Sequence, residues 1–215
     1  VTARDLVVIS AGLGRPSATR MLADRLAAAT STALRELGVE STSYVVELRD
    51  HAHEITDNLL TGFPGPRLAE VVDRVVRADA LIAVTPIFNA SYSGLFKSFL
   101  DVLEPDALTG RPVLLGATGG TPRHSLALEH ALRPVFTYLH ALVVPTAVYA
   151  ATADWGGESI KHSGRAEPTG QELSGRIERA GRELAALLTD RRPAATRVDP
   201  FDEPTPFERL LTGGR

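Results

Sequence analysis

The chain contains no cysteine, which removes disulfides, zinc–thiolate centres, thiolate-held iron–sulfur clusters and a thiol nucleophile from its chemistry. A cytoplasmic setting fits that composition. Aromatic residues are scarce, at 6% with a single tryptophan. Positive charge is not in excess either. The 23 Lys and Arg stand against 26 Asp and Glu, for a net charge of −3, so the basic footprint of a nucleic-acid binder is missing. No apolar run approaches the roughly 20 residues that span a bilayer, and Val1-Thr2-Ala3-Arg4-Asp5 lacks the apolar core of a signal peptide. Neither nucleic acid nor a membrane is expected as a partner. What is present is an ordinary globular composition, 44% hydrophobic and 23% charged over 215 residues, enough for one domain with a tail.

Apolar residues 6–9 form a short unbroken run, the pattern of a strand buried on both faces. Helical periodicity follows from Ser17 to Leu37, closed by Gly38. Strand two is expected at 43–48, a long connection at 50–66, a helix at 68–76 and strand three at 80–84. A helix at 95–103, strand four at 112–117, a helix at 125–139 and strand five across Pro145 to residue 150 come next. Residues 154–170 form a polar insertion, 172–188 a final amphipathic helix and 193–215 an extended tail, so residues 1–192 are read as the domain. Alternating strands and helices predict a doubly wound α/β fold, because parallel neighbours need helical crossovers. Five strands suit the flavodoxin-like order 2-1-3-4-5, with helices on both faces of the parallel sheet.

In such sheets a ligand sits beyond the carboxyl ends of the strands, where the winding reverses between strands one and three. The loop after strand one puts Ser10, Arg15, Ser17, Ala18 and Thr19 at a helix N-terminus. Free N–H groups and the dipole there attract an anion such as a phosphate. The competing reading is that Ser17 caps the helix and Pro16 starts it. Gly12-Leu13-Gly14 begins a dinucleotide fingerprint, but Ser17 replaces its third glycine. The absence of Gly-Lys-Ser/Thr argues against nucleoside triphosphate hydrolysis.

The loop after strand three offers Pro86, Ile87, Phe88, Asn89 and Ser91. A fixed proline dihedral, a turn-tolerant asparagine and an aromatic edge suit a flat heteroaromatic ligand. Phe88 packed in the core is the alternative. After strand four, Thr118, Gly119 and Gly120 permit close backbone approach. A response-regulator receiver is discounted, because Ser10-Ala11 and Thr85-Pro86 stand where it needs acidic residues.

Ser10, the run Arg15-Pro16-Ser17-Ala18-Thr19-Arg20, the block from Thr85-Pro86-Ile87-Phe88-Asn89 to Phe99-Leu100-Asp101, and Gly119-Gly120 together resemble the NADPH-dependent FMN reductases. The likeness covers nearly all of residues 5–150. Glu129-His130-Ala131-Leu132-Arg133-Pro134 looks like the branch that feeds reduced flavin to two-component monooxygenases, including those of sulfonate metabolism.

The resemblance implies an NAD(P)H:FMN oxidoreductase with FMN and NADPH, or NADH, as cofactors and a flavin-dependent monooxygenase as recipient. It implies Ser10, Arg15, Ser17 and Thr19 around the flavin phosphate. Pro86, Ile87, Phe88, Asn89 and Ser91 would line the ring and ribityl chain, with Thr118, Gly119 and Gly120 across the ring. Phe88 departs from the tyrosine of many relatives. His130 matches a position in a helix that can bulge at a tetramer interface, and a homodimer or homotetramer is expected. No acid–base residue is required, since hydride transfer is cofactor chemistry. Backbone N–H groups near Asn89 and Gly119 are candidates to offset charge on the flavin. Arg123, His124 and the insertion with Trp155, Lys161, His162 and Arg165 are candidates to hold the pyridine nucleotide. A quinone, azo or metal-ion reductase that retains its FMN, and an electron-carrying flavodoxin, remain alternatives.

Overall fold

The computed structural model describes residues 3–155 and 169–190. Its strands are β1 (Arg4–Ser10), β2 (Ser41–Glu47), β3 (Ala80–Phe88), β4 (Ser91–Tyr92), β5 (Pro112–Gly119), β6 (Leu142–Val143) and β7 (Val148–Ala151). The helices are α1 (Ala18–Glu36), α2 (Ala52–Thr61), α3 (Pro66–Arg77), α4 (Gly94–Leu100), α5 (Arg133–Tyr138) and α6 (Thr169–Thr189). The side-chain alternation of β1 divides the core in two. Leu6 and Val8 face α1 and α6, packing with Leu22, Leu26 and Leu184. Val7 and Ile9 face the other layer, with Val71 and Val75 of α3, Phe96 and Phe99 of α4, and Phe136 of α5. Helices therefore cover both faces of a parallel sheet, the flavodoxin-like α/β arrangement.

The sheet has seven strands, not the expected five, in the order β2-β1-β3-β5-β6, with β4 on β3 and β7 also on β5. The expected fifth strand is split. Pro145 has no N–H to give a ladder, and the Arg133 guanidinium donates to the carbonyls of Val144 and Pro145. The chain thus leaves the sheet between β6 and β7, each of which pairs in parallel with β5. The extra strand β4 arises because Asn89 (φ 49°) and Ala90 (φ 66°) turn left-handed, folding Ser91 and Tyr92 back antiparallel onto Ile87 and Phe88.

Two further expectations change. The connection at 50–66 holds a 3₁₀ turn, Leu48–His51, and helix α2, which seats Ile55 and Asn58 inward and stops at Gly62 (φ 82°). The helix expected at 125–139 is broken into a wide π-helical turn at Leu128–Leu132, which contains His130, followed by α5. Pro134 lies in the first turn of α5, where its missing N–H costs little. The tail at 193–215 and most of the insertion lie outside the described residues. Among the described residues no helix is long and apolar enough to cross a membrane.

Helices α1 and α6 meet where Gly181 is buried. A Cβ there would lie 2.8 Å from the Ala29 carbonyl carbon and 2.9 Å from the Thr30 nitrogen. Backbone cannot rotate aside as a side chain can, so Gly181→Val is expected to cost about 1–3 kcal/mol. A urea midpoint equal to that of the parent would contradict this packing.

Candidate functional site

Register brings the three expected loops to one sheet edge. Ser10, the last residue of β1, pairs with Glu47 of β2 and Val84 of β3. Pro86 pairs with Thr118, and Gly119 with Ala151. The loops after β1, β3 and β5 therefore leave the sheet side by side, at the reversal point.

In the first loop, Ser17 is the N-cap of α1 and accepts a hydrogen bond from the Arg20 N–H at 3.2 Å. The capping reading of Ser17 is thus met by the structure, but Pro16 does not start the helix: it lies before the cap, and Ala18 opens α1. A Cβ on Gly12 would sit 2.0 Å from the Ser17 Oγ, so this loop has no room for a side chain at that position. Thr19 is buried, and its hydroxyl lies 2.8 Å from that of Thr118, joining the first loop to the third. Ser10 is fully buried, and its Oγ has no hydrogen-bond partner among the described residues. Leaving such a hydroxyl unpaired costs about 1–3 kcal/mol. Arg15 is exposed and reaches Asp50 at 3.2 Å.

The second loop is clipped at its base. The Thr85 hydroxyl accepts from the Ser93 N–H at 3.1 Å and donates to the Pro86 carbonyl at 3.0 Å, and the Ser93 Oγ caps α4 by accepting from the Phe96 N–H. Pro86 is buried, Ile87 and Ser91 are partly buried, and Asn89 is exposed. Phe88 is 47% exposed at the sheet edge, so the core-packed alternative does not hold. It pairs with Ser91 of β4, two positions beyond the Pro86–Thr118 pairing.

That third loop is held from behind. The Tyr149 hydroxyl donates to the Thr121 carbonyl at 2.8 Å, and a Cβ on Gly119 would fall 2.0 Å from the same hydroxyl. Burial first, and the negative charge of Asp154 second, raise the Tyr149 phenol above its ordinary range. The fold favours the protonated phenol, so this stability is complete below the unfolded tyrosine pKa of about 10 and is lost as pH rises through the higher folded value. An ultraviolet difference titration should show one late-ionising tyrosine, absent in Tyr149→Phe. If the late phase persists in that variant, the assignment fails.

The pyridine-nucleotide candidates are treated unevenly by the fold. Arg123 and His124 are exposed on the short turn Pro122–His124, three residues beyond Gly120. Trp155 is instead packed with the α1–α6 layer, with the Arg25 guanidinium 5.0 Å from its ring centroid. Asp154 accepts from the Ala151 N–H at 2.8 Å. Lys161, His162 and Arg165 lie outside the described residues. His130 is exposed on the π-helical turn.

Sequence reasoning missed the end of β2. Arg49 donates to the Gly14 carbonyl and pairs with Glu47, and Glu47 also takes Arg20 at 2.7 Å. The signal available was topological, since order 2-1-3 puts the end of β2 beside the first loop. No group of three or more His, Asp or Glu among the described residues is arranged to hold a metal.

Sheet, layers and loop placement define a flavodoxin-like α/β protein. Comparison with known proteins narrows the class. The family model for NADPH-dependent FMN reductase matches residues 5–156. FMN reductase (NADPH) of Pseudomonas aeruginosa is 36% identical over 188 residues, covering 86% of this chain and 93% of that protein. NADH-dependent FMN reductase SfnF of Pseudomonas fluorescens is 35% identical over 183 residues, covering 85% and 91%. The solved structure of an oxidoreductase from Corynebacterium diphtheriae superposes with a TM-score of 0.82 at 42% identity, covering 88% of this chain and 99% of that one. The chain belongs to the NADPH-dependent FMN reductase family: it is an oxidoreductase that works on FMN with a pyridine nucleotide.

Proposed function

We propose that this FMN reductase takes FMN as an exchangeable substrate and, in the cytoplasm, delivers the reduced flavin to a separate flavin-dependent monooxygenase. The observation that carries the reading is the buried Ser10 hydroxyl at the reversal point, unpartnered among the described residues, which a phosphate oxygen would satisfy. Ser10, Arg15, the helix N-terminus with Ser17 and Ala18, and Thr19 on the Thr118 side form the phosphate end. Pro86, Ile87, Phe88, Asn89 and Ser91 line one side of the ring, and Thr118, Gly119 and Gly120 the other. FMN supplies the hydride-accepting ring when bound. The protein's part is to orient that ring against the nicotinamide and to aim N–H groups near Asn89 and Gly119 at the charge that develops.

Only one side-chain cation serves the phosphate in this arrangement. Charge-assisted hydrogen bonds contribute about 1.5–3 kcal/mol each, so a few of them hold FMN without locking it in. A homodimer or homotetramer belongs to the same reading. Tyr138, 76% exposed, borders an apolar groove of about 470 Å³ between α4 and α5.

Desalted protein should lose FMN and oxidise NADPH or NADH only when FMN is added back, with saturation in FMN. Stoichiometric FMN retained through desalting, with turnover of quinone or azo acceptors but not of added FMN, would overturn the exchange reading. Retained FMN without pyridine-nucleotide oxidation would make the chain an electron carrier.

A further inference from the structure

We propose that Asp50 sets how tightly FMN is held, by competing with the flavin phosphate for Arg15. The inference rests on the reading of the first loop as the phosphate site. Arg15 is the one cation that loop contributes, and its guanidinium reaches Asp50 Oδ1 at 3.2 Å. Both side chains are exposed, at 74% and 48%, so the pair is free to open.

The carboxylate has a second cation beside it. It follows Arg49 in the 3₁₀ turn after β2, and the Arg49 Nε lies 3.8 Å from Asp50 Oδ1. Arg49 is in turn anchored, only 16% exposed, by Glu47 and by its hydrogen bond to the Gly14 carbonyl. Gly14 immediately precedes Arg15. The same arginine thus bonds to the backbone from which Arg15 projects and lies beside the acid that Arg15 meets. Glu47 is also engaged by Arg20, which pairs with Asp24 as well, so Glu47 and Asp24 are already matched to cations other than Arg15.

A phosphate entering between Ser10 and the N-terminus of α1 must draw Arg15 off Asp50 and sit near a carboxylate. Both effects weaken binding, and both are modest because the pair is solvated. The result is a phosphate site tuned for release: Arg15 gives selectivity for the phosphorylated flavin, and Asp50 limits its grip.

The test is fluorescence titration of ligand-free protein with FMN and with riboflavin, which lacks the phosphate, in the parent, Asp50→Asn, Arg15→Ala and the double variant. Asp50→Asn is expected to tighten FMN roughly three- to tenfold and slow its release, to leave riboflavin unchanged, and to lose most of that gain at high salt. Arg15→Ala should weaken FMN and abolish the effect of Asp50→Asn. If the parent binds FMN and riboflavin equally, the phosphate reading itself fails. If the parent discriminates but Asp50→Asn leaves FMN affinity unchanged, the competition fails while that reading stands. If Asp50→Asn tightens FMN equally in the Arg15→Ala background, Asp50 acts as a bare repulsive charge and the competition is again overturned.

Discussion

Ser10→Ala should make the ligand-free protein more stable and its hold on FMN weaker. The Ser10 Oγ is enclosed at the end of β1 without a partner among the described residues. Removing it deletes an unsatisfied buried hydroxyl and leaves only a small gap, for a gain of about 1 kcal/mol. A hydroxyl that donates to a phosphate oxygen contributes about 1.5–3 kcal/mol, so the same change should weaken FMN roughly ten- to hundredfold. Riboflavin should bind as before. Thermal melts with and without FMN read both effects in one experiment. A variant that melts lower in the ligand-free state and binds FMN normally would remove Ser10 from the site and assign it to the core.

Gly12→Ala is expected to lose FMN for a different reason. The new Cβ would meet the Ser17 Oγ at 2.0 Å, with the Thr19 Cβ at 3.1 Å and the Ser17 Cβ at 3.2 Å. Ser17 must turn away and give up the Arg20 N–H, which costs about 1 kcal/mol of helix capping. Displacing the loop backbone from the phosphate should lower FMN affinity at least about tenfold, since 1.4 kcal/mol is a factor of ten. Adding Ser17→Gly opens the space again and substitutes a tolerated N-cap. The double variant should regain stability while FMN binding stays impaired, because a hydroxyl is still missing. Full FMN affinity in Gly12→Ala would show that the loop moves without consequence.

The strands that form the sheet interior were legible because burial on both faces writes them as continuous apolar runs, as in Leu6-Val7-Val8-Ile9 and Leu81-Ile82-Ala83-Val84. β4 was not legible. Two residues in a hairpin carry no period, and Ala90 at φ 66° is a position that its residue type does not advertise. Helix α2 was hidden by length and polarity, with only Ile55 and Asn58 turned inward over its ten residues. The break between β6 and β7 combined a local cause that was visible, Pro145, with a distant one that was not, the Arg133 guanidinium.

The candidate site shows the same division. Its three loops were found from glycine, proline and hydroxyl chemistry and from the topological rule for open sheets. Gly12 was noticed as part of a glycine fingerprint, whereas its demand for a bare Cα comes from Ser17 folding over it. Gly119 is similar, since the atom that forbids a side chain is the hydroxyl of Tyr149, thirty residues later in the chain.

By itself the sequence determined the α/β class, the strand–helix alternation and which loops lie at the sheet's reversal point, because periodicity and turn chemistry act over a few neighbouring residues. Only the tertiary structure decided that Phe88 is half exposed, that the Ser10 hydroxyl is left without a partner among the described residues, and that Arg49 ties the end of β2 to the first loop. Those facts depend on groups from separate strands meeting at one edge, and a hydrogen bond or a steric limit is set by distance in space, to which separation along the chain is indifferent.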